Sequence, residues 1–215
     1  MPDEIQVARP AFLDNGAVRR SDLAWDDWPA IVAFLSDQCL CHLAVPTAGA
    51  PYVVGQSFRY TEGKFLLHCS RQGRLAGLMR ARPVVSIVVD RLVALLKAPK
   101  GQNTSFEYYS VLAECTVDYD EEIPNVKRQQ YRVLGKYRHE GGYEPIDDAA
   151  PAQIVTFECK VKQMTAKKRI LADGQYSPPG QPQAPYVRFP FPPGAQLSAL
   201  PEEAFDGKRF RNHRE

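Results

Sequence analysis

No apolar run in this 215-residue chain approaches the roughly 18 residues that a membrane-crossing helix requires. The opening MPDEIQVARP lacks an apolar signal region, so a cytoplasmic protein without membrane association is expected. Charge of one sign is scarce too. Lys and Arg number 27 against 25 Asp and Glu, and a net charge of +2 is too weak a bias to argue for nucleic acid. The common catalytic signatures are missing: there is no Gly-x-Ser-x-Gly elbow, Walker loop, Gly-x-Gly-x-x-Gly turn after a strand, or His-Glu-x-x-His. That pattern fits a protein whose cofactor carries the chemistry. No internal repeat is visible.

Cysteine is sparse and odd in number. Cys39, Cys41, Cys69, Cys115 and Cys159 lie mostly in apolar runs such as CLCHLAV and SVLAEC, as expected of buried thiols in a reducing compartment. Cys39 and Cys41 are separated by one residue rather than two, and no partner pair follows, so no metal site is expected.

What the chain does contain is a sizeable core: 44% of its residues are hydrophobic and 24% charged. Residues 1–20 read as an extended arm. Asp27-Trp28-Pro29 reads as a helix start, with Asp27 as cap, and Ile31, Val32, Phe34 and Leu35 give a stripe up to Gln38. Strands are expected over 39–45, 51–60 and 65–70, with a hairpin turn at Thr61-Glu62-Gly63-Lys64. A helix over 74–82 ends at Pro83, and the β-branched run Val84 to Val89 reads as a central strand. Residues 91–105 read as a loop, 106–118 as a strand, 121–137 as a helix and 154–165 as a last strand. Six strands with short helices between them do not make a doubly wound parallel sheet; they suit a small antiparallel barrel.

Beyond Arg169 the composition changes. Eight prolines fall from Pro178 to Pro201, interleaved with Tyr186, Phe189 and Phe191, which excludes regular structure and suggests a tail that wraps its own domain or a partner. The expected organisation is an arm over 1–20, a domain over 21–169 and a proline-rich extension over 170–215.

The loop Ser70-Arg71-Gln72-Gly73-Arg74 stands where a strand ends and a helix begins. Free backbone N–H groups and the helix dipole favour an anion there, and two arginines add to that preference, although both also suit a solvated loop. His68, alternating with apolar neighbours, lines the barrel or faces outward. Cys69 faces the side opposite to it.

Laid out in order, these pieces resemble the flavin-binding split-barrel superfamily that includes pyridoxamine 5'-phosphate oxidase, and most of all its nitroimidazole-resistance (Nim-type) branch. The resemblance spans roughly residues 20–165. It rests on Gly49-Ala50-Pro51-Tyr52-Val53-Val54, the hairpin Tyr60 to Phe65, His68-Cys69-Ser70, Gly73-Arg74, Leu78 to Val85 around Pro83, and Tyr109-Ser110-Val111.

The resemblance implies a mainly β fold: a six-stranded antiparallel split β-barrel with short flanking helices, forming a homodimer with FMN in the interfacial clefts. It places Gln56, Ser57 and Phe58 near the flavin ring, and His68, Ser70, Arg71, Gly73 and Arg74 around the ribityl phosphate. Tyr109 and Ser110 reach the flavin of the facing subunit. Relatives usually carry Pro in place of Gly55, Asn in place of Ser57, and Lys followed by Asp after the loop glycine, so phosphate binding here rests on Arg71 and Arg74.

The implied function is an FMN-dependent oxidoreductase that reduces small electron-poor substrates, nitroaromatic or quinone-like, with NAD(P)H or another donor. His68 is the one candidate catalytic side chain. The alternatives are a non-catalytic flavin or haem binding protein using the same cleft, and a dimeric scaffold without ligand.

Overall fold

The computed structural model describes residues 8–16, 18–81, 83–138, 140–171, 175–176, 184–192 and 201. The helices are α1 (Trp28–Asp37), α2 (Arg74–Ala81), α3 (Ile123–Tyr137) and α4 (Ala149–Ala152). The strands begin with β1 (Leu40–Val45), β2 (Tyr52–Ser57), β3 (Arg59–Thr61) and β4 (Lys64–Ser70). They continue with β5 (Val84–Lys97), β6 (Ser105–Asp120) and β7 (Ile154–Arg169), then the short β8 (Gln175–Tyr176), β9 (Ala184–Pro185) and β10 (Val187–Pro190). The main sheet has the order β2-β1-β5-β6-β7-β4-β3, with β10 paired to β5. This is a β-dominant, antiparallel sheet of the split-barrel type. No helix among the described residues is long and apolar enough to cross a membrane.

Residues Met1–Val18, Trp25–Val89 and Val111–Ala166 form one compact unit; Arg19–Ala24, Asp90–Ser110 and Lys167–Glu215 form another. In the first, α1 starts as its sequence suggests. Asp27 accepts a hydrogen bond from the Ala30 N–H at 3.2 Å, with Pro29 in the first turn, and Trp28, Ile31, Phe34 and Leu35 are buried. The β3–β4 hairpin turns through Glu62 and Gly63, both at positive φ (50° and 74°), the backbone that matches strand twist. Part of the N-terminal arm is tied down: Leu13 is buried and bridges Met164, and the buried Asn15 accepts from Ala166 N–H and donates to the Trp25 carbonyl. Cys41 and Cys115 pack as small apolar residues, and burial pushes each thiol up to about 12.

Several elements differ from the sequence expectation. The run 51–60 is not one strand: it breaks at Phe58, where pairing changes from β1 to β4. Residues 91–97 are not loop but the second half of β5, because β10 pairs along Ala94 to Lys97 and Phe189 and Phe191 pack on Leu95. The last strand extends four residues further, to Arg169. Within the proline-rich extension, 187–190 is regular strand, since Pro190 closes the strand where its missing N–H costs least. Most other residues of that extension lie outside the described ones.

The change of partner at Phe58 positions the site. Leu66 is the last β4 residue paired to β3, whereas β7 continues to pair with β4 through Ser70. Backbone groups left along such a split need other partners. Side chains of α3 supply several. Gln129 donates to the Leu67 and Phe157 carbonyls at 3.0 and 3.1 Å. Tyr137 accepts from the Phe58 N–H at 3.1 Å and donates to the Phe58 carbonyl at 2.8 Å. Lys136 donates to the carbonyls of Leu35, Gln38 and Phe58.

Candidate functional site

A cavity of about 340 Å³ opens beside the split, lined by Ser57, His68, Gln130, Val133, Leu134, Tyr137 and Ile146. Its volume falls at the low end of the ~300–1,000 Å³ typical of small-molecule sites. Gln130, Val133, Leu134 and Tyr137 are spaced i, i+3, i+4, i+7, so one face of α3 forms a wall. β2 contributes Ser57 from its last position and β4 contributes His68. Alternation along β2 turns Gln56 to the other face, and it does not line the cavity.

The walls are mainly apolar, and two polar atoms inside them are unmatched. His68 Nδ1 and Gln130 Oε1 are buried without a hydrogen-bond partner. Burial also holds the His68 pKa below its ordinary value, so the imidazole is neutral at neutral pH.

Phe58, expected beside the flavin ring, lies in the core. Its side chain is fully buried, 5.6 Å from the Phe65 ring and under the Lys136 ammonium at 4.0 Å. The reason is the strand break, which turns Phe58 into the core.

The basic loop divides its two arginines. Arg71 is directed at the protein: its Nη2 donates to the Glu121 carbonyl at 2.6 Å, its backbone N–H donates to Gln153, and its carbonyl accepts from Arg80. Arg80 in turn is ion-paired with Glu121. Arg74 opens α2 and is exposed, its guanidinium 4.7 Å from the centre of the Tyr52 ring. The exposed Ser70 ends β4, and its carbonyl accepts from the Gly73 N–H at 3.2 Å, closing the turn into α2. His68 and Ser70 share one face of β4, about 7 Å apart along the strand. Cys69, on the other face, is held in its thiol form because burial raises its pKa more than Arg80 lowers it.

Tyr109 and Ser110 fall in the second compact unit, and neither lines this cavity. Tyr109 stacks under the Arg91 guanidinium at 5.3 Å.

A second, polar cavity of about 200 Å³ is lined by Asp118, Asp120, Glu158, Arg128 and Arg132 among others. Its carboxylates are already matched: Asp118 by Lys160, Glu158 by Lys64 and Arg132, Asp120 by the Glu122 N–H and Asn125. Such a network holds structure rather than a ligand.

The α3 wall of the larger cavity is absent from the sequence reading. Its signal was present: a polar Gln130 in register with Val133, Leu134 and Tyr137 on one helical face.

The sequence profile of the family described as pyridoxamine 5'-phosphate oxidase matches residues 27–168. No curated protein matches the chain. Among solved structures, the flavocytochrome Anf3 of Azotobacter vinelandii superposes with a TM-score of 0.65 at 18% identity, over 89% of this chain and 94% of its own. An FAD and heme binding protein of Mycobacterium smegmatis gives 0.62 at 12% identity, over 84% and 94%. A protein assigned to 5-nitroimidazole antibiotic resistance, from Bacteroides thetaiotaomicron, gives 0.57 at 19%, over 67% and 86%. At these identities the likeness is one of fold.

Proposed function

Because the chain belongs to the pyridoxamine 5'-phosphate oxidase family, we propose that the cavity beside α3 receives the ring of FMN and that the protein is an oxidoreductase. One observation carries this reading: an apolar face of α3 and the strand residues Ser57 and His68 enclose one cavity of ligand size beside the split. When bound, the flavin supplies hydride and single-electron chemistry that no side chain offers.

The chain's own residues bind, orient and exclude. Val133, Leu134 and Ile146 keep water from the ring. Arg74, at the first position of α2, and Ser70 take the phosphate, where the helix N-terminus already favours negative charge. Arg71 fixes the loop through Glu121 rather than meeting the ligand. Neutral His68 holds or gives a proton at a ring nitrogen beside the reacting substrate. With no charged side chain in the lining, the reading takes small neutral substrates, nitroaromatic or quinone-like, with NAD(P)H as the electron donor. The protein acts as a homodimer that covers the exposed apolar residues Leu40, Val53 and Val84.

A second reading, a flavin or haem carrier without turnover, draws support from coverage. The two haem-linked neighbours align over 89% and 84% of this chain, against 67% for the resistance protein. One experiment separates the readings. The absorption spectrum of freshly purified protein is recorded, any chromophore is released by acid and weighed, and NAD(P)H consumption is followed with nitroaromatic and quinone acceptors. Released FMN with acceptor-dependent turnover supports the oxidoreductase. A haem band, or flavin without turnover, supports the carrier. A colourless protein that refuses added FMN removes both.

A further inference from the structure

We infer that Tyr131 is a positioning residue for the loop-borne wall of the cavity, Ile146, and that the segment it pins is the passage by which the flavin ring enters and leaves; this rests on the flavin reading above. The other lining residues sit on β2, β4 or α3, whereas Ile146 lies in 140–148, which joins α3 to α4 without helix or strand. Gly141 and Gly142, both at a φ of 70°, turn the chain back after α3. The returning segment is then tied to α3 by side chains. Arg138 pairs with Glu140 and stands 5.5 Å from the centre of the Tyr143 ring. The Tyr131 hydroxyl accepts from the Ile146 N–H at 2.9 Å, and Lys127 pairs with Asp148 at 2.8 Å.

Residues 127, 131 and 138 are spaced i, i+4, i+11, so they share one face of α3, next to the face that walls the cavity. The segment runs back along that face and brings Ile146, partly buried, into the lining. Its ties are unequal. The outer two are charged pairs whose carboxylates are well exposed, Glu140 by 54% and Asp148 by 79%, and water screens them. The Tyr131 bond is partly buried and falls at the wall residue itself. A segment held by side chains opens at less cost than the strands and helix around it, whose opening breaks backbone ladders. The way in therefore lies under this segment, and Tyr131 sets how often it lifts. It acts through Ile146 and has no need to touch the ligand.

The test measures FMN association by stopped-flow fluorescence quenching, and dissociation by recovery of flavin fluorescence on dilution, for wild type and Tyr131→Phe. The substitution keeps the ring and removes the hydroxyl. Opening precedes both entry and exit, so loss of one neutral hydrogen bond is expected to raise both rate constants about fivefold and to leave Kd within about twofold of wild type. A residue that only supports the fold would instead lower the ligand-free melting temperature and weaken Kd through dissociation alone. That pattern overturns the inference. Lys127→Ala, at an exposed tie, should move both rates the same way by a smaller factor, and it decides the matter if Tyr131→Phe does not fold. FMN binding by wild type, with rates that neither variant alters, overturns the inference and leaves the flavin reading standing. Wild type that binds no FMN overturns both.

Discussion

The Lys136 ammonium stands 4.0 Å above the centre of the Phe58 ring and donates to the carbonyl of the same residue at 3.1 Å. One side chain thus grips Phe58 by ring and backbone, and reaches the carbonyls of Leu35 and Gln38 at the C-terminal end of α1 as well. Those carbonyls have no acceptor role left within the helix, and a cation suits the negative end of its dipole. Burial lowers the Lys136 pKa, and its contacts are carbonyls rather than a carboxylate.

Replacing Lys136 by Met keeps the stem and removes the ammonium. The expected loss is about 2–3 kcal/mol, the scale of charge-assisted hydrogen bonds. Lys136→Arg should recover little of it, since a planar fork cannot reach three carbonyls that a compact ammonium reaches together. Urea titration of both variants checks this; a Lys136→Met protein as stable as wild type would show the grip to be idle.

His68 predicts a pH dependence of the ligand-free protein. Its folded pKa lies below 6.5 because burial disfavours the imidazolium. The unfolded chain therefore takes up the proton first as pH falls, so stability is present above 6.5 and declines as pH moves down toward the folded value. Melting temperature should fall faster as pH drops below 6.5 in wild type than in His68→Gln. Parallel curves would remove His68 as the source.

Arg74 predicts discrimination between flavins with and without phosphate. Arg74→Ala should weaken FMN binding about tenfold while leaving riboflavin affinity unchanged. Arg71→Ala should instead lower stability, through its lost bond to the Glu121 carbonyl. Equal loss of both flavins in Arg74→Ala would mean that Arg74 shapes the loop rather than contacting phosphate.

Within the second compact unit, the fully buried Glu107 accepts from Arg188 at 2.7 Å and from the Leu171 N–H at 2.9 Å. Arg188→Ala leaves that carboxylate without its cation. The expected cost is about 2–3 kcal/mol, below that of a wholly buried pair because Arg188 is 38% exposed. Limited proteolysis near β10 should accelerate, and adding Glu107→Gln should restore part of the resistance. A doubly substituted protein cleaved as fast as the single variant would contradict this pairing.

Local chemistry was legible in the sequence. The Asp27 cap, the Glu62-Gly63 turn and the stop at Pro83 depend on neighbours along the chain, and the order of motifs carried the split-barrel fold with it. What escaped depends on distant partners. Nothing between Pro51 and Tyr60 announces that Phe58 turns inward, because the cause is the exchange of β1 for β4 alongside it and the arrival of Lys136 and Tyr137 from a helix 78 or 79 residues away. The loop read over 91–105 gained its strand from β10, some 90 residues on, which pairs along Ala94 to Lys97. Two like arginines in one loop acquired unlike environments from Glu121 and Tyr52, which lie outside the loop.

The seam at Phe58 also has a dynamic meaning. Its amide proton is held by the Tyr137 hydroxyl, a side chain, while amides on either side belong to strand ladders. Lifting α3 would free that one proton without parting a single strand. Hydrogen exchange at Phe58 therefore clocks the breathing of the cavity wall, separately from the slower opening of the sheet around it.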